Sequence, residues 1–179
     1  TFDDADPIGD LTFDSAGNNN GTTSGMNNMA TAPVSKIGAG AADFGTAGNS
    51  QGYFDFVNAG EFSVTNANSG LAMAFWYKAP ASMTTPEGTN RLPVHLLGSG
   101  IGGTSVAVEL SAGTARAFVR QANNTNVRAT GTMDIFDDTW HHVVITYTSA
   151  TGTAAVYIDG KLNATATNAG VGATFIFNK

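Results

Sequence analysis

The segment "WHHVVITYTSATGTAAVYIDGK" (residues 140–161) decides the fold. His141 to Tyr147 is dense in Val, Ile, Thr and Tyr, and Thr153 to Ile158 repeats that composition. Such β-branched and aromatic runs fit a pleated, half-buried surface. Between them, Ser149-Ala150-Thr151-Gly152 suits a hairpin loop, and Asp159-Gly160 is a type I′ turn signal. The segment therefore predicts three consecutive antiparallel strands, the third beginning at Lys161. Neighbouring side chains on a strand point to opposite faces. His141 and His142 then cannot ligate one metal from a regular strand; one should point inward and the other outward.

Outward from this segment the same texture continues. "GLAMAFWYKA" (70–79) is a strong strand, and "LPVHLLG" (92–98), "TSVAVEL" (104–110) and "TARAFVR" (114–120) follow at short spacing. Ser111-Ala112-Gly113 joins the last two, "QANNTN" (121–126) is a turn, and "VRATGTM" (127–133) is a weaker strand. Residues 80–91 read as a long loop and 134–138 as a loop leading to Trp140. Near the start, "LTFDSAGNNNGTTSG" (11–25) has a strand-like beginning and then a loop by composition. The segment 36–64 alternates short strands with glycine breaks, and the tail "VGATFIFNK" ends on another short strand. No helical period of 3.6 persists anywhere. Many short strands at turn-separated spacing predict an all-β sandwich or barrel in one domain spanning 1–179. Trp76 and Trp140, set in β-rich runs, are read as core between the sheets.

Composition narrows the function classes. Charged residues make up only 12% of the chain, about half the usual share, while Gly, Ala, Thr and Asn abound. The formal net charge is −6 and the eight Lys and Arg are scattered along the sequence, which argues against nucleic acid as a partner, since no basic patch is present to neutralise phosphates. There is no cysteine, so disulfides, thiolate metal sites and a cysteine nucleophile are excluded. No run approaches the roughly 18–20 apolar residues of a membrane-spanning helix. The chain starts at Thr1 without a signal-like segment, so any leader is expected to have been removed already.

Four stretches carry more than propensity: "DSAGNNNGT" (14–22), "KIGAGAADF" (36–44), "EFSV…LAMAFWYK" (61–78) and "WHHVVITYTSATGTAAVYIDGKL" (140–162). Their content and order resemble the laminin-G-like, concanavalin A-like lectin/glucanase jelly-roll modules, and that resemblance implies a two-sheet antiparallel β-sandwich. The likeness runs from about Asp14 to about Thr167, and its last motif is the most specific. Such modules continue past the Tyr-x-Asp-Gly hairpin to a further strand, whereas this chain stops at Lys179. The resemblance thus implies either a fragment or a strand supplied by another chain, since an unpaired edge is a liability.

Glycoside hydrolases that share the jelly roll carry Glu-x-Asp-x-x-Glu on one strand, placing carboxylates for nucleophile and acid roles. Glu61, Glu87 and Glu109 have no acidic residue two positions away, and no Gly-x-Ser-x-Gly elbow occurs. The expectation is that the chain is not an enzyme. Calcium is the better metal candidate, with Asp14, Asn18 and Asn20 as ligands in a glycine-bearing loop. An Asn-rich turn held by its own side-chain hydrogen bonds is the stronger reading of that loop. Asn20, Asn123 and Asn163 also match the N-glycosylation sequon.

The sequence points to a non-catalytic binding or adhesion module at an extracellular, cell-surface or virion surface, recognising glycans or another surface ligand. Binding residues concentrate on loops held by a rigid scaffold, which singles out Tyr53, Asn90, Arg91, Asn124 and Asp137. Two alternatives stand beside it: a structural or decorating subunit of a virion, filament or surface layer, with neighbouring subunits as partners, and an accessory module of a carbohydrate-active enzyme.

Overall fold

The computed structural model describes residues 11–12, 21–24, 36–37, 53–56, 63–64, 68–83, 91–98, 104–121, 123–171, 175 and 177. The chain divides into two compact units, one of Thr1–Ala59 with Lys179 and one of Gly60–Asn178. The first contains an antiparallel sheet of β1 (Leu11–Thr12), β2 (Gly21–Ser24) and β3 (Tyr53–Phe56), in the order β1-β2-β3. The polar "GTTS" read as loop is therefore a strand, with Thr22 opposite both Leu11 and Asp55. Pairing on both sides makes up for a weak local pattern, which is how tertiary context overrides composition.

The second unit holds two four-stranded antiparallel sheets. The strands are β4 (Gly70–Tyr77), β5 (Arg91–Leu97), β6 (Ser105–Ser111), β7 (Thr114–Arg120) and β8 (Asn126–Thr130), followed by β9 (His141–Thr148), β10 (Thr153–Ile158) and β11 (Lys161–Thr167). One sheet has the order β11-β10-β9-β4 and the other β5-β6-β7-β8. They pack as a β-sandwich, with β10 lying across β7 and β8 and β11 across β8. The opening segment forms the β9-β10-β11 meander with the boundaries its sequence predicts. Asp159 and Gly160 have φ of 51° and 78°, both positive as a type I′ turn demands. Ala112 and Gly113, at 49° and 80°, make the same turn between β6 and β7.

Alternation places the core. Val143, Ile145 and Tyr147 point inward from β9, and Ala154, Val156 and Ile158 from β10, all buried. Ala115, Ala117 and Val119 face them from β7, Val127 and Ala129 from β8. Each large side chain buried this way stabilises the fold by about 1.5–3 kcal/mol. The Tyr147 ring meets Phe175 edge-on at 5.2 Å, and its hydroxyl donates to the Val171 carbonyl at 3.1 Å. Phe175 pairs with Val64 through two backbone hydrogen bonds, of 2.9 and 2.7 Å, and it and Phe177 are buried. Among the described residues there is no helix, and none is long and apolar enough to cross a membrane.

The tryptophans depart from the sequence reading. In the β4–β9 register Phe75 lies opposite inward-facing Val143, so Trp76 falls opposite His142 on the outward face. Trp76 is half-buried, and so is Trp140, which precedes β9. The period of two that fixes the inner face also excludes Trp76 from it.

Candidate functional sites on the sandwich

The paired histidines separate as expected: His141 is buried and His142 is half-exposed on the opposite face. His141 closes a clasp between the loop 134–140 and the β10–β11 turn. Its Nδ1 lies 2.8 Å from Asp159 Oδ2, and its Nε2 lies 3.1 Å from Asp137 Oδ1 and 3.0 Å from Thr139 Oγ1. Asp159 also accepts the backbone N–H of His142 at 2.8 Å, while its own N–H donates to the His142 carbonyl. Burial by itself would lower the His141 pKa, but hydrogen bonds to Asp159 and Asp137, aided by their charges, raise it above the ordinary value. The Thr139 hydroxyl and backbone N–H, with His141, bring Asp137 down to about 2. Burial raises the Asp159 pKa, yet the His141 and His142 hydrogen bonds leave it lowered overall. All polar ends here serve one another, so the cluster's chemistry is to lock a turn.

A second cluster occupies the outward face of the β5–β8 sheet. Register aligns Glu109 with Arg116, Ala107 with Phe118 and Phe118 with Arg128. Glu109, whose side chain is 5% exposed, lies 3.4 Å from Arg116 Nε and 3.1 Å from Arg128 Nε. The Arg128 guanidinium sits 4.7 Å from the Phe118 ring centroid, and that of Arg120 lies 5.8 Å away, both within cation–π range. On neighbouring β5, His95 Nε2 is 2.7 Å from Ser105 Oγ. Burial and then the Arg120 charge push its pKa down. The sequence contains four arginines, Arg91, Arg116, Arg120 and Arg128. Three of them meet on this face, which corrects the reading of the basic residues as scattered. The signal was present as alternation: Arg116, Phe118 and Arg120 occupy every second position of β7.

The outward face of the other sheet is neutral. Trp76 and His142 lie with ring centroids 5.0 Å apart at 40°. Beyond them, Ala74, Val144, Tyr157 and Leu162 align across the four strands, and Leu162 is 58% exposed. Ala72, Thr146, Ala155 and Thr165 form the next row, and the Thr153 and Thr167 hydroxyls pair at 2.9 Å in the one after.

The loop residues singled out by sequence are distributed among these features. Asp137 joins the histidine clasp. Asn124 occupies the β7–β8 turn at φ 67°, and its carbonyl accepts from Asn126 Nδ2 at 3.2 Å, at one end of the arginine face. Arg91 opens β5 opposite Leu110, and Tyr53 opens β3 opposite Ser24. Asn124 and Asp137 lie on separate loops and do not hydrogen-bond to each other. Asp14, Asn18, Asn20 and Asn90 lie outside the described residues. Among the described residues, no group of three or more His, Asp or Glu side chains is placed to hold a metal ion. Of the sequon asparagines, Asn163 accepts the Thr132 N–H at 2.9 Å and Asn123 that of Thr125 at 2.9 Å.

Comparison with known proteins places this architecture. The family model of the concanavalin A-like lectin/glucanases superfamily matches residues 48–177. One similar solved structure is the binding domain of Paraclostridial Mosquitocidal Protein 1, at 13% identity and a TM-score of 0.45, covering 66% of this chain and 31% of that one. Another, HCR/D-Sa-GBL1/C, is 16% identical with a TM-score of 0.49, covering 96% of this chain and 37% of that one. This chain thus spans about a third of the length of each, and likenesses so distant say nothing of function. No curated protein matches the chain. With the family's model matched over well over half of its length and an all-β sandwich beneath it, the chain belongs to the concanavalin A-like lectin/glucanases superfamily as a laminin-G-like module.

Proposed function

We propose that the chain is a non-catalytic, surface-exposed binding module that recognises a glycan through the outward face of β4, β9 and β10. The observation that carries this reading is Trp76. Its ring stands on a solvent-facing sheet surface, tilted against His142, with exposed Ala74 and Ala72 beside it on the strand. Small neighbours leave room for a pyranose to lie against an indole, and Thr146, Thr165 and Tyr157 offer hydroxyls nearby. An apolar platform with a few polar groups is the usual composition of a ligand site.

Superfamily membership is compatible with lectin and with glucanase, so the carboxylates are the second support. Hydrolysis calls for two carboxyl groups flanking the scissile bond. Among the described residues, Glu109 is engaged by two guanidiniums, Asp137 and Asp159 by His141, and Asp134 and Asp138 by the backbone N–H groups of Phe136 and Ala81. The test is titration with a broad panel of neutral oligosaccharides, followed by tryptophan fluorescence and by NMR shifts along β4 and β9. Saturable binding is expected, weakened about 30-fold by Trp76→Ala, the ~2 kcal/mol of a buried aromatic anchor. A panel without a binder would sink the glycan reading. If the chain also self-associated through this face, the assembly-subunit alternative would replace it.

A further inference from the structure

We propose that the outward face of β7 and β8 is a second binding site, which takes the carboxylate or sulfate of an acidic saccharide on Arg128. The residue is oriented by the protein but not enclosed by it. Its Nε donates to Glu109 and its guanidinium lies against Phe118, so the plane of the group is set. Its two Nη amino groups donate to no acceptor among the described residues, and the side chain is 41% exposed. A planar guanidinium held in this way presents parallel donors that match two oxygens of a carboxylate or sulfate. Glu109 does not cancel the charge of Arg128, because Arg116 lies against the same carboxylate oxygen at 3.4 Å. Arg120 adds a further guanidinium beside Phe118.

The neighbours of Arg128 identify the ligand class. Asn126, Arg128 and Thr130 are exposed and occupy alternate positions of β8, so they form one outward column with a spacing of roughly 7 Å. An amide and a hydroxyl on either side of the guanidinium suit the hydroxyls of a sugar that carries one acidic group. A nucleic acid would need several exposed cations to follow its backbone, and this column has one. The chain as a whole has a net charge of −6, which disfavours general attraction of polyanions and leaves recognition to this locally basic face. The site lies on the opposite sheet from Trp76 and stands independently of the reading given above.

The experiment is titration of the intact chain with a uronate-bearing or sulfated oligosaccharide and with its neutral counterpart of equal length, at low and high salt. The acidic sugar is expected to bind, to lose roughly tenfold in affinity at high salt, and to shift the amide signals of Phe118, Asn126, Arg128 and Thr130. Arg128→Lys, which can keep the ion pair with Glu109, should weaken it about tenfold or more. Arg128→Gln should abolish it, while Asn126→Ala weakens it several-fold and Lys161→Gln, on the other sheet, leaves it unchanged. Trp76→Ala should leave it unchanged too, which keeps this result separable from the neutral-glycan test. Equal binding of the neutral sugar, or affinity unaltered in Arg128→Lys, overturns the site. Inorganic sulfate or an acidic peptide binding as tightly as the saccharide overturns the ligand class.

Discussion

On the β5–β8 sheet the outward positions of β6 are Ser105, Ala107, Glu109 and Ser111, and every one is buried. On the β4–β11 sheet the matching positions of β9 are His142, Val144, Thr146 and Thr148, half-buried or exposed. The inner faces are alike, lined in both by Val and Ala at every second residue. The outer faces therefore differ in what holds them. One is organised around a buried carboxylate between guanidiniums, where losing a partner leaves an uncompensated charge. The other is a neutral surface of Thr, Ala and one aromatic pair, where each contact contributes a fraction of a kcal/mol. What the contrast teaches is that equal cores permit unequal surfaces. In stability, the charged face is expensive to alter and the neutral face tolerates substitution.

The largest effect that could break this comparison is at Glu109. Replacement by Ala should destabilise the fold by about 3 kcal/mol, because Arg116 has little solvent to turn to; urea unfolding would measure it. A loss below about 1 kcal/mol would put the two faces on the same footing. Next comes Asp159, which holds His141 and the His142 N–H from a turn position with φ of 51°. Asp159→Ala should cost about 2 kcal/mol, combining lost hydrogen bonds to a charged acceptor with an alanine in the left-handed region. Thermal melts beside Asp159→Asn, which keeps an acceptor for the backbone N–H, separate the two contributions.

A smaller effect is the pH dependence of the clasp. His141 has its pKa raised above 6.5, so its contribution is complete below that value and fades as pH rises through the folded pKa. Asp137, brought down to about 2, and Asp159, also lowered, act in the other direction. Their contribution is present above the ordinary carboxylate value of 3.8 and is lost as pH falls toward their folded values. Stability attributable to the clasp should then be greatest between about pH 4 and 6.5. Melting temperatures of the native chain and of His141→Asn, followed from pH 3 to 9, should differ most in that window; parallel curves would exclude the clasp as a titrating element. The smallest effect is on the neutral face, where Thr153→Val, which removes an exposed hydroxyl pair with Thr167, should stay within about 0.5 kcal/mol.

The meander at residues 141–167 was legible because three local signals agreed there: β-branched runs, a four-residue loop and Asp-Gly. Agreement failed at "GTTS", whose polar residues become a strand only through partners on both sides. It failed differently at Trp76, where composition pointed inward and register pointed outward. The site residues were least legible. Loop position singled out Asp137 and Asn124, yet Asp137 serves a buried histidine 18 positions before the aspartate that completes the clasp. Arg116, Arg120 and Arg128 sit in strands, where side chains are ordinarily read as spacers between core positions.

The sequence by itself determined the all-β class, the antiparallel meander, the I′ turn at Asp159-Gly160 and the opposite facing of His141 and His142. These are properties of a few consecutive residues, set by a period of two and by which residues tolerate positive φ. Only the tertiary structure decided that Glu109 is buried between two arginines, that Phe118 lies under Arg128 and that Trp76 faces outward. Each depends on the register between strands, and register is a relation between distant segments that no local window contains.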